Sequence, residues 1–150
     1  MKSILLFACV LFSSIHGFSQ TGSLTAEFWV ESFSYGTDTV KLKQSILISV
    51  KGNSCSQIQS LGKAGNTEMG MQVEVLQSNL GNVAHYIVAK AYFIKKSGKW
   101  DEISEDTHYD ITEDIASARK ARGVDEIGVS VSMSGDPDFS VEFKDRYTIK

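Results

Sequence analysis

The chain holds a single proline, Pro137, two cysteines, three histidines and no excess of cationic side chains among its 150 residues. Each scarcity removes a class of protein. With Lys+Arg at 15 against Asp+Glu at 18, the chain lacks the basic field that draws a phosphate backbone, so nucleic acid is not an expected partner. No apolar run reaches the twenty or so residues that a membrane-crossing helix needs. Pro-rich linkers, repeats and low-complexity tracts are absent, which points to a single domain rather than an array. The histidines and cysteines are too few, and too irregularly spaced, for a zinc site.

The first nineteen residues read as a leader. Lys2 supplies a positive start, Ile4 to Phe12 is a short apolar run, and Gly17 and Ser19 place small residues at −3 and −1 of a cleavage site before Gln20. Residues 1–19 are therefore expected to be a signal peptide and residues 20–150 a single globular domain, secreted or periplasmic. A lipoprotein alternative uses Leu6-Phe7-Ala8-Cys9, at the cost of a much shorter apolar run. Residues 1–19 hold one formal cation, Lys2, and no acid, so the net charge of −3 becomes −4 without them. Cys55 is then the only thiol left, which excludes an intramolecular disulfide and leaves a buried thiol or a pairing between chains.

What the chain does contain is alternation with period two, the mark of half-buried strands. Leu24, Ala26, Phe28 and Val30 share one face. Val40, Leu42, Ile46, Ile48 and Val50 share another, beyond a turn at Tyr35-Gly36-Thr37-Asp38. Further strands are expected over Met71 to Val75, Val83 to Lys95, Trp100 to Ile103, Ile127 to Met133 and Phe139 to Phe143. Asp110 with Glu113 forms a capping-box-like start, and Ile111, Ile115, Ala118 and Ala121 follow at helical spacing up to Gly123, so a three-turn helix is expected near 111–122. A shorter helix is expected from Ser54 to Leu61, with a loop over Gly62 to Gly70. The fold class is thus α+β and β-rich, with six or seven mostly antiparallel strands forming a sheet, a sandwich or a barrel.

Chemistry-bearing motifs are weak. Asp106, His108, Asp110, Thr112 and Asp114 alternate like the oxygen donors of a calcium loop, but Ile111 stands where the turn glycine belongs and Ser117 where the bidentate glutamate belongs. His85 shares a strand face with apolar residues and reads as a core or rim histidine. No Gly-x-Ser-x-Gly elbow is present, and Gly62-Lys63 lacks the flanks of a phosphate loop. No catalytic residue, metal or cofactor is therefore expected. The richest pattern is aromatic: Trp29, Phe33 and Tyr35 on the second face of the first strand, with Tyr86 and Tyr92 on the second face of the long central one. Aromatic rings beside acids make a protein-binding strip at low entropy cost, unless both strands are central to a sandwich or barrel, in which case these second faces are buried.

The chain is accordingly expected to be a non-enzymatic extracytoplasmic binding or envelope-associated module with a protein partner. One alternative is a carrier holding a small apolar ligand inside a barrel; another is a small hydrolase built from His108 with Asp106 and Asp110. Oligomeric state and strand order stay open.

Overall fold

A computed structural model describes residues 23–80, 83–111, 126–131 and 138–149. It contains nine strands among them: β1 (Leu24–Tyr35), β2 (Asp38–Lys51), β3 (Ser54–Cys55), β4 (Gln59–Ala64), β5 (Thr67–Leu80), β6 (Val83–Lys96), β7 (Lys99–Ile111), β8 (Glu126–Val131) and β9 (Phe139–Ile149). They make two sheets. Sheet I runs β2-β1-β9-β8; sheet II runs β3-β5-β6-β7, with β4 pairing farther along the same side of β5 as β3. Every pairing is antiparallel.

The turns follow from residues that tolerate positive φ. Gly36 (φ 62°) and Gly65 (φ 57°) each open a two-residue turn, the glycine-first arrangement of a type II′ hairpin. Ser97 (φ 50°) and Gly98 (φ 78°) are both positive, as a type I′ turn requires. These connections suit the right-handed twist of the strands they join.

The alternating faces meet in one core. Leu24, Ala26, Phe28 and Val30 of β1, Ile48 and Val50 of β2, and Phe139, Val141, Phe143 and Tyr147 of β9 face Met69, Met71, Val73 and Val75 of β5 and Tyr86, Val88, Tyr92 and Ile94 of β6. Phe28 packs edge-on against Phe143, with ring centroids 5.3 Å apart, and Tyr92 meets Phe139 at 5.4 Å. The sheets thus close on each other as a sandwich, and their strands do not close into a barrel.

Two sequence expectations change here. Ser54 to Leu61 is not a helix, because Ser56 stitches the chain to the edge of β5: its amide donates to the Val73 carbonyl at 2.8 Å and its hydroxyl accepts from the Val73 amide at 3.0 Å. Gly62 to Gly70 is not a loop but the β4–β5 hairpin, turning at Gly65-Asn66. The helix expected near 111–122 falls, apart from Ile111 at the end of β7, outside the described residues. No helix among the described residues is long and apolar enough to cross a membrane.

Candidate functional site

The five aromatics expected to form a binding strip are not brought together. At Glu31 the register of β1 breaks against both neighbours: Glu31 is the extra residue of a bulge against β9, and against β2 it stands opposite four unpaired residues, 42–45. Trp29, before the bulge, lies on the outer face of sheet I, but Phe33, after it, turns into the core at 1 % exposure and Tyr35 packs against that core. Tyr86 and Tyr92 are buried between the sheets, because the second face of β6 is its inner one. Only Trp29 remains at the surface. Arg146 covers its ring at 5.0 Å, Lys144 beside it is tied to Glu31 at 2.9 Å, and Leu47, paired with Trp29 from β2, is exposed.

The outer face of sheet II is different. Its floor is β6, where Ala89, Ala91 and Phe93 are nearly buried beneath longer neighbours. Register places them in rows across the sheet: Glu74–Ala89–Thr107, Gln72–Ala91–Glu105 and Gly70–Phe93–Glu102. Small side chains along the middle strand, flanked by long polar ones, make a furrow. An additional residue in β7, Ile103, sits between the pairings of Ser104 and Glu102, and the bulge brings Glu102 and Glu105 onto the same face.

One end of the furrow is aromatic. A Cβ on Gly70 would stand 3.0 Å from two atoms of the Trp100 ring and 2.8 Å from Ile58 Cγ2, so glycine at 70 lets both side chains lie on the sheet. Lys95 extends over the Trp100 ring at 5.1 Å and reaches Glu68 at 3.3 Å. The Ser60 hydroxyl, donating to Glu68 at 2.9 Å, is the largest influence holding that carboxyl below its ordinary range, with Lys95 and Lys63 adding to it. At the other end Leu76, paired with Ile87, is exposed.

The middle is acidic and uncompensated. Burial, and then repulsion from Glu105, pushes the carboxyls of Glu74 and Glu102 above their ordinary value. Neither makes an ion pair among the described residues, whereas Lys95 and Lys96 of the same hairpin are engaged by Glu68 and Asp101. No group of three His, Cys, Asp or Glu side chains among the described residues is placed to hold a metal ion, so the three glutamates are a charged surface rather than a coordination site.

The residues of the hydrolase alternative alternate along β7. Asp106 belongs to another interaction: Lys90, 2 % exposed on the inner face of β6, places its ammonium 2.7 Å from the Asp106 carboxylate and 5.0 Å from the Phe143 ring centroid. His108 holds the register position opposite Val88. His85, on the outer face of β6, is half-buried, and Cys55, on the short β3, is a half-buried thiol that donates to the Ser56 carbonyl at 3.4 Å.

Glu74, Glu102, Glu105 and Trp100 were not picked out as a surface by sequence periodicity. Glu102 and Glu105 are three apart, and strict alternation puts such residues on opposite faces. No family of known proteins matches the chain, and no curated protein or solved structure matches it either.

Proposed function

We propose that the mature chain is a non-enzymatic extracytoplasmic binding module whose partner is a protein, and that its binding surface is the outer face of sheet II. The observation that carries this reading is the contrast between the two outer faces. On sheet I Glu31 and Glu142 are engaged by Lys144 and Ser32, and Trp29 is covered by Arg146 beside the exposed Leu47. On sheet II three glutamates stand together beside Trp100, Phe93 and the exposed Leu76, over a floor of alanines. Retaining repulsive, partly desolvated carboxylates on a surface costs stability, and a complementary partner recovers that cost on binding.

The leader pattern supports export, with Gln20 as the mature N-terminus. The carrier alternative needed a closed barrel, and the sandwich core is occupied by its own aromatic side chains. The hydrolase alternative loses Asp106 to Lys90.

The test is affinity capture from the native extracytoplasmic fraction, comparing the wild-type chain with Glu102→Lys/Glu105→Lys after both are shown to melt cooperatively. A specific protein retained by the wild type and lost by the variant is expected. A partner held equally by both would remove sheet II as the binding surface.

A further inference from the structure

Sheet II ends at β7, and β7 pairs only with β6 among the described residues. An edge strand points roughly half of its N–H and C=O groups away from its neighbour, where another extended chain can take them. Natural edges are blunted by shortness, proline, bulges or charged side chains. This one spans Lys99–Ile111 without proline, and between its bulge at Ile103 and a second irregularity ahead of Ile111 it pairs regularly from Ser104 to His108. Its side chains guard it selectively. Asp101 is occupied by Lys96 and Asp106 by Lys90, which leaves Glu102 and Glu105 as the carboxylates without an ion pair among the described side chains of the edge, reinforced across the furrow by Glu74.

Resting on the protein-binding reading above, we propose that β7 accepts an extended, lysine- or arginine-bearing segment of the partner as an added strand of sheet II. A second copy of β7 is a poor occupant, because pairing two such edges brings carboxylates opposite carboxylates. A basic strand instead sets its cations beside Glu102 and Glu105, on the furrow side of the sheet, while its backbone takes up the open edge. Backbone pairing supplies affinity and the glutamates supply selection.

The probe is a fluorescein-labelled peptide of alternating lysine and valine, with a version N-methylated at alternate residues and an acidic version carrying glutamate for lysine. Anisotropy should show the lysine peptide binding at least about tenfold more tightly than its N-methylated form, since several backbone hydrogen bonds are lost together. The acidic peptide should not bind. Hydrogen exchange should slow at β7 amides, and Glu102→Lys/Glu105→Lys should reverse the preference toward the acidic peptide.

Equal binding of the methylated peptide would reduce the interaction to charge attraction and overturn strand addition. So would absence of binding, protection on a strand other than β7, or an unreversed preference in the variant. If the peptide fails while the captured partner still depends on Glu102 and Glu105, sheet II remains the binding surface and only strand addition falls.

Discussion

At the scale of single residues, Lys90 and Asp145 are the buried charged side chains among the described residues, and Lys90 is the more deeply buried. It shares the inner face of β6 with Val88 and Tyr92, and a lysine there is tolerable only because Asp106, directly across on β7, meets its ammonium at 2.7 Å. Asp106 itself keeps 43 % of its side chain in water. The two partners are therefore unequal. Asp106→Ala should cost about 3 kcal/mol, because it strands a buried cation, whereas Lys90→Met should cost about 1 kcal/mol or less, because the remaining carboxylate is hydrated and the methionine packs on Phe143. Urea unfolding of the two variants decides this; equal losses, or the opposite order, would show that Lys90 is not held by this pair.

Glu74 carries a pH signature. Its folded carboxyl is raised, so the folded chain holds the proton more tightly than the unfolded chain does. Stability is thus lowered at neutral pH and recovers as the pH falls through the raised value toward 4.5, the ordinary one. Glu74→Gln should raise the melting temperature at pH 7 and leave it unchanged below pH 4, as thermal scans at the two pH values would show. An identical gain at both would mean that charge is not the cause.

At the scale of elements, one inserted residue redistributes the aromatics of β1. Up to Val30 the strand follows the expected alternation; Glu31 then adds a position, and Phe33 moves from the surface to the core. Phe33→Ala should accordingly cost about 3–5 kcal/mol through the cavity it leaves. Trp29→Ala should cost about 1 kcal/mol, since only part of its ring is covered. Chemical denaturation that ranked Trp29 above Phe33 would place the bulge wrongly.

The same device sets the limit of what could be read from the chain. The turn at Gly36, the hairpin of β1 with β2 and the strands β8 and β9 were legible, because alternation and turn chemistry are local. The bulges at Glu31 and Ile103 were not, because neither residue signals an extra position and each is imposed by pairing with distant strands. Ser54 to Leu61 misled for a related reason. Its serine and glutamine imitate a helix start, yet Ser56 spends both its backbone amide and its hydroxyl on Val73. Trp100 and Glu105 could be seen as residues but not as neighbours of Gly70 and Glu74 until the strand order was known.

At the scale of the whole molecule, the sandwich is asymmetric. Its core uses both sheets alike, but its outer faces diverge: sheet I ties Lys144 to Glu31 and lays Arg146 over Trp29, and sheet II keeps an acidic furrow between Trp100 and Leu76 beside β7, which pairs only with β6 among the described residues. The binding account requires that contact with a partner be confined to the second of these. A photo-crosslinking amino acid placed at Gln72, in the furrow, and separately at Ser49, on the outer face of sheet I, measures this in cells of the native host. The account predicts a discrete protein adduct from the Gln72 position and none from Ser49. An adduct from Ser49 alone, or from neither position, would contradict it.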